Sequence, residues 1–293
     1  MPLTFDPWVA FIWCVFAGFV MSMGVGGGGV LAGIGHLSIL GIADANQIKV
    51  LNQILEFASR IVAVPLYQRQ RRISWSLALA FSAGAPFGAV AGSWASKAWL
   101  SDIGAYRIAF GLLVLAVAAR VGYEAWGAAV AADARLRRAR EASSRGARDG
   151  AREAPRTLET SLTQIRVRFA GEHFDFSPWT AAAGGFAIAF VGALLGIAGG
   201  FLITPFLASV LFYPVYLATG TSLVASMVPL VASVLAYFAL DVRVDWRLLA
   251  FEVPGIVVGS MFGPLASRRM NDRALKTFIA VVLFAIGLYY VAF

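Results

Sequence analysis

The chain has 293 residues, 59% of them hydrophobic and 14% charged, with a mean hydropathy of +0.76 and a net charge of +8. An ordinary soluble domain carries roughly 25% charge, so this composition excludes one. Apolar stretches of about 20 residues follow one another, each long enough for a ~30 Å hydrocarbon core, and they do not alternate with polar residues as barrel strands do. The expected fold class is therefore all-α, a polytopic membrane protein.

Apolar segments fall at about 8–24, 28–42, 47–67, 74–98 and 104–127, then at about 178–196, 199–213, 216–240, 247–266 and 273–293. The expected organisation is a first transmembrane repeat over 1–127, a basic cytoplasmic linker over 128–176 and a second repeat over 177–293. The start "MPLTFDPW" lacks a basic leader region, so the first apolar segment is expected to stay in the fold. Cys14 is the single cysteine, which excludes an intrachain disulfide and reads as a small packing residue.

Within the first run, Gly24-Val25-Gly26-Gly27-Gly28-Gly29 interrupts what is otherwise a helix. Glycine costs an interior helical position about 1 kcal/mol relative to alanine, so the run reads as a deliberate break. It recurs 172 positions later as Gly196-Ile197-Ala198-Gly199-Gly200. "RRISWSLAL" (71–79) likewise matches "VRVDWRLLA" (242–250), pairing Trp75 with Trp246. "GAPFGAVAG" (84–92) resembles "EVPGIVVGSMFG" (252–263), with small residues spaced for close helix contact. A duplicated membrane unit is a transporter signature.

Basic residues gather in short segments beside apolar runs, as in positive-inside loops and unlike a nucleic-acid-binding face. The clusters are Arg69-Arg71-Arg72, the linker, and Arg268-Arg269-Arg273-Lys276. All three face the cytoplasm only if each Gly break marks a hairpin, which gives an odd number of crossings per half. The repeats are then inverted, with both termini outside. The arm 199–213 has 15 residues, roughly 22 Å of helix, so each break reads as a short or re-entrant hairpin with its tip near the midplane. The linker is rich in Arg, Ala and Glu, with almost no large apolar residue before Ile165. It reads as a fluctuating helix or plain disorder with no core to bury, either a solvated connector or a contact for regulators or lipid headgroups.

"LLGIAGGFLITPFLASVLFYPVYLATGTSLVASM" (194–227) resembles the signature of the sulfite exporter TauE/SafE family: a Gly-rich turn, an apolar run with a Pro, a Pro-containing turn and A-x-G-T-S-L. The likeness extends more weakly to "GVGGGGVLAGIGHLSILGI" and "RRISW" in the first half. There Gly33 stands where Pro205 stands, and Lys49-Val50 replaces Thr221-Ser222. The resemblance implies an integral permease for sulfite or organosulfonates such as sulfoacetate or taurine-like compounds.

After each break the chain re-enters a helix whose first N–H groups lack partners and favour an anion. Gly26, Gly27, Gly28, Gly199 and Gly200 are therefore expected substrate contacts, the alternative being that they only permit tight helix crossings. Lys49, Asn52, Gln53, Glu56 and Arg60 share one helix face, which lipid would not accept. Lys49 would draw the anion in; Asn52 and Gln53, with Thr221 and Ser222, would donate to its oxygens. Glu56 and Arg60 either neutralise each other or carry charge for coupling. His36 is either a packed neutral imidazole or a titrating group. Thr204 and Ser209 read as back-bonding to their own helix, Glu252 as favouring a helix N-terminus, and Tyr213 and Tyr216 as interfacial anchors.

Zinc, redox, P-loop and nucleophile-elbow motifs are absent from the sequence. The expectation is a non-enzymatic secondary transporter in the inner membrane, with no metal or cofactor. A channel-like pore for another anion and a sensor acting through the linker are the alternatives. Expected partners are the sulfur-containing anion and membrane lipids, with a homo-oligomer left open and no nucleic acid.

Overall fold

The computed structural model describes residues 6–23, 28–126, 138–139, 141–145, 154–197, 200–266 and 272–292. In chain order the first half holds α1 (Pro7–Met23), α2 (Gly28–Ile34, running on as a π-helical turn over Gly35–Ile39), α3 (Ala45–Arg69), α4 (Trp75–Ser82), α5 (Ala85–Trp99) and α6 (Ile103–Trp126). Strands β1 (Arg156–Thr160), β2 (Ile165–Phe169) and β3 (Glu172–Phe176) follow. The second half holds α7 (Pro178–Leu195), α8 (Gly200–Ser209), α9 (Val215–Ala225), α10 (Met227–Ala239), α11 (Trp246–Ala266) and α12 (Asp272–Ala292).

Helix starts follow from side-chain caps. Asp6 accepts from the Trp8 and Val9 amides, Asp44 from Asn46 and Gln47, Asp102 from Ala105, and Asp245 from Arg247 and Leu248. Ser177 caps α7 with Pro178 at its first position, matching Asp6-Pro7 at the start of α1. Helix α7 stops at Gly196, whose φ of +72° puts it in the left-handed region glycine favours, while the Ile197 amide closes back on the Gly192 carbonyl at 2.8 Å.

Among the described residues, four helical segments are long and apolar enough to cross a membrane: those in α6, α7, α9–α10 taken together, and α11. The pair α4–α5, bent by 43°, makes a fifth. Trp8, Trp75, Trp179 and Trp246 stand exposed at the starts of α1, α4, α7 and α11, as an interfacial belt requires. The arms after the breaks are short. Helix α8 has 10 residues, or about 15 Å, and cannot span a ~30 Å core.

The halves are interleaved. Helix α1 packs on α11, α7 on α5, and α6 on α12. A Cβ on Gly84, Gly88 or Gly92 of α5 would overlap the carbonyl oxygens of Ala182, Phe186 and Phe190 of α7. A Cβ on Gly255, Gly259 or Gly263 of α11 would overlap those of Phe11, Val15 and Phe19 of α1. Adding 171 to 84, 88 and 92 gives 255, 259 and 263; adding it to 11, 15 and 19 gives 182, 186 and 190. Each contact therefore has a reciprocal copy, the mark of a two-fold relation between the halves. Small residues every fourth position let these backbones touch.

The repeat is also inverted. Along α3, α1 runs in the same direction: Ser260 bridges the Gly18 carbonyl to Ser59, and the Tyr67 hydroxyl donates to the carbonyls of Ser22 and Met23. Helix α7 runs the other way, from the β-sheet down to Gly196 beside Lys49 at the start of α3. Arg72, the β-sheet and Pro264 lie at one end of the molecule. Arg72 donates to the Tyr216 carbonyl, Phe169 of the sheet stacks on Tyr216, and Gln70 donates to the Pro264 carbonyl. Arg268 and Arg269 lie outside the described residues, as do 128–137 and 146–153 of the linker.

Residues 156–176 correct the expectation of a coreless linker. They form an antiparallel meander, β1-β2-β3, in which Ile165, Val167, Phe169, Phe174 and Phe176 are buried. Phe174 and Phe176 meet the Tyr213 ring edge-on at 5.8 and 6.3 Å. Tyr213 is thus enclosed protein core, not an anchor at the lipid interface. The alternating "IRVRF" and "EHFDF" carried this strand period.

Candidate functional site

Helix α3 carries the site. Lys49, Asn52, Gln53, Glu56 and Arg60 are all between 0 and 4% exposed, so the polar face turns entirely into the protein. Burying those charges is tolerable only with partners, and each has them. Arg60 donates from Nη2 to Glu56 Oε2 at 2.8 Å, from Nη1 to the Glu56 carbonyl at 2.9 Å and from Nε to Ser226 Oγ at 3.2 Å. Lys49 donates to the Leu100 carbonyl at 2.6 Å and to Asn46 at 3.3 Å, with its ammonium 4.8 Å from the Tyr106 ring centre.

Both glycine breaks converge on this face. Gly29 lies so close to Glu56 that a Cβ there would overlap Oε1. The second break runs along the stripe. Gly196 presses on the Lys49 side chain, Ile197 shares a small cleft with Gln53, and a Cβ on Gly200 would stand 3.2 Å from Arg60 Nη2. The helices that start at Gly28 and Gly200 thus begin beside the ion pair near the middle of α3. Gly28 itself packs on Met21. Gly26, Gly27 and Gly199 lie outside the described residues.

The cleft at Gln53 is otherwise lined by Ala89, Ala189, Ala193, Pro229 and Ser233, with Leu230. Gln53 Oε1 has no hydrogen-bond partner among the described residues. Thr221 and Ser222 are not gathered with Asn52 and Gln53. Thr221 Oγ1 accepts from the Ser74 amide at 3.0 Å, and Ser222 accepts from Thr204 while donating to the Thr219 carbonyl. Thr204 therefore bridges α8 to α9 and does not bond back to its own helix.

Two participants escaped the sequence reading. Ser226, at the α9–α10 junction, holds Arg60. Glu252 does not serve a helix N-terminus: it is 1% exposed, and its Oε1 lies 2.8 Å from His36 Nε2. His36 Nδ1 in turn lies 2.6 Å from Asn52 Oδ1. The continuous apolar run on both sides of Glu252 was the available signal, since a carboxylate inside an apolar helix needs a partner. No group of three His, Cys, Asp or Glu able to hold a metal ion occurs among the described residues.

The family model for the sulfite exporter TauE/SafE matches residues 10–290. The chain belongs to the sulfite exporter TauE/SafE family. As a TauE/SafE protein it is a multi-pass membrane protein of a transporter family. It is also similar to the probable membrane transporter protein YunE of Bacillus subtilis (strain 168), with 27% identity over 121 residues. That match covers 40% of this chain and 44% of YunE, so the chain spans less than half of the curated relative it matches. No solved structure matches the chain. In this TauE/SafE chain the order of Gly break, short arm and A-x-G-T-S-L corresponds to the end of α7, α8 and α9, with Gly196 against Lys49 and Gly200 beside Arg60 of α3.

Proposed function

We propose that this protein is a secondary carrier for sulfite or a small organosulfonate, such as sulfoacetate or a taurine-like compound, across the inner membrane. The observation that carries the reading is the meeting of Gly200 with Arg60 beneath the two glycine breaks. The first turn of α8 offers unpaired N–H groups and the positive end of a helix dipole, and Arg60 adds a cation with planar donors. Glycine leaves room for an oxyanion against the backbone. Gly26, Gly27, Gly28, Gly199 and Gly200 are the glycines we assign to substrate contact. Gln53 reaches the anion from the cleft. Lys49, Thr221 and Ser222, already engaged with the protein, hold the frame around it.

Glu56 keeps the empty site near neutrality, so the anion is admitted without a stranded cation. Alternating access would come from the interleaved halves rocking about the inverted two-fold. The positive-inside rule, applied to the end that holds Arg72 and the sheet, supports a cytoplasmic location for that end and termini on the outside.

The test is counterflow of labelled sulfite and sulfoacetate in proteoliposomes, with Gly200→Val and Gly27→Val checked for protein level and melting temperature. Wild-type counterflow lost in both folded variants is the expected result. Undiminished counterflow in both would remove the glycine tips from the pathway. A thermal-shift screen with thiosulfate, taurine and carboxylate controls then ranks the anions.

A further inference from the structure

His36 and Glu252 come from different halves of the chain and meet in its interior, each about 1% exposed. His36 sits in the π-helical turn that ends the first short arm, and such turns concentrate where function requires an irregular helix. Asn52 completes the group from α3. Its Nδ2 and the second carboxylate oxygen of Glu252 have no partner among the described residues, an incomplete set of bonds for groups so enclosed.

The atoms dictate where hydrogens go. Asn52 Oδ1 only accepts, so His36 Nδ1 carries a hydrogen and donates to it. Nε2 and Glu252 Oε1, 2.8 Å apart, then need a proton between them as well. The group as it stands is proton-loaded and neutral overall, either imidazolium with carboxylate or imidazole with carboxylic acid. Losing one proton leaves a net charge of −1. His36 then keeps its hydrogen on Nε2 for Glu252, and its bare Nδ1 accepts from Asn52 Nδ2 after the amide turns over. Asn52 thus satisfies both states with its two ends, which gives the orphaned amide nitrogen a use.

We propose that His36, Glu252 and Asn52 form a proton-binding site whose loading favours anion binding about two helical turns away, at Arg60 on α3. The coupling rests on the carrier reading above; the proton site does not. The other ionisable and charged groups nearby are accounted for. Cys14 of α1 faces Glu252, Glu56 and Arg60 of α3 pair with each other, Lys49 is held on the Leu100 carbonyl, and Tyr290 of α12 is bonded to Ser38. Tyr106 of α6 donates to the Leu195 carbonyl. Proton uptake removes one negative charge from the interior beside Glu56, so an anion enters at lower electrostatic cost. By linkage the anion must tighten proton binding equally. Anion affinity therefore rises as pH falls.

The chain has two histidines, so His173→Gln, in exposed surroundings on β3, leaves His36 as the only imidazole. Nitrogen-15 histidine NMR of that protein in nanodiscs, from about pH 5 to 9, reads the site directly. The expected result is a ring protonated on Nδ1 at acid pH giving way to the Nε2–H tautomer, with the transition displaced or abolished by Glu252→Gln. In the same background, ethanesulfonate, which does not titrate in this range, should bind about tenfold more tightly at the acid end. Glu252→Gln should make that affinity independent of pH. An imidazole signal unchanged across the range would overturn the proton site. A titrating ring with a flat affinity would overturn the coupling. Failure of sulfite and of every tested sulfonate to bind would overturn the coupling together with the carrier reading, and the NMR titration would still decide the proton site.

Discussion

Arg60 reaches back one turn to Glu56 and closes a 2.8 Å ion pair in which both side chains are almost wholly enclosed. Removing one partner would leave the other charge buried. Arg60→Met is therefore expected to destabilise the protein by about 3–5 kcal/mol, while Glu56→Gln combined with Arg60→Met costs less than the sum of the two single changes. Unfolding of the four proteins in detergent checks this as a double-mutant cycle. Counterflow should be lost in both the single and double Arg60 variants, because stability is recoverable by neutralising the pair and the cation is not.

A methyl group on Gly29 would land on the Glu56 carboxylate. Gly29→Ala should displace that carboxylate without unfolding the chain, and counterflow should fall about tenfold or more, as small misplacements at a site do. Gly41→Ala is the control. Its φ is +62°, with nothing within 4 Å of the added carbon, so it should cost about 1–2 kcal/mol of stability and leave counterflow per folded molecule intact.

Gly88 and Gly259 occupy equivalent positions in the two crossings, against the Phe186 and Val15 carbonyls. Backbone cannot yield as a side-chain tip can. Gly88→Leu and Gly259→Leu should each destabilise by at least about 1–3 kcal/mol and to similar extents. Melting temperatures in detergent measure it; a large loss in one and none in the other would break the symmetry of the packing.

Phe174 fills the space between the sheet and Tyr213. Phe174→Ala is expected to cost the sheet about 3 kcal/mol and to expose the arginines of 156–168 to trypsin. Leu162, which is 80% exposed at the β1–β2 turn, should tolerate alanine with no change in the digestion pattern.

The duplication, the two breaks and the buried polar face were all legible in the sequence, because glycine runs inside apolar segments and charges at spacings of three and four have few structural explanations. Gln53 and Arg60 could be placed facing inward from periodicity alone. Their partners could not. Ser226 lies 166 residues beyond Arg60, and Glu252 lies 216 residues beyond its partner His36; only the exchange of helices between the halves brings them together. Without it, Glu252 read as a helix-end acid and Thr221 as a neighbour of Asn52. The sheet was missed for a different reason. Its two half-buried strands are five residues each, with charged residues or His173 at the alternate positions, and the composition of the whole linker masked their alternation.

The interleaving also has a consequence for how the protein is made. Helix α1 leaves the ribosome more than 200 residues ahead of α11, which carries the glycine face that fits it. Chains grow at about 5–20 residues per second, so α1 must wait for many seconds in the bilayer without its partner. Until then its carbonyl ridge faces lipid or a holding factor. A nascent chain released before α11 could insert its helices but could not close them together, and early stop codons should therefore yield loosely associated spans open to quality-control proteolysis rather than a working half.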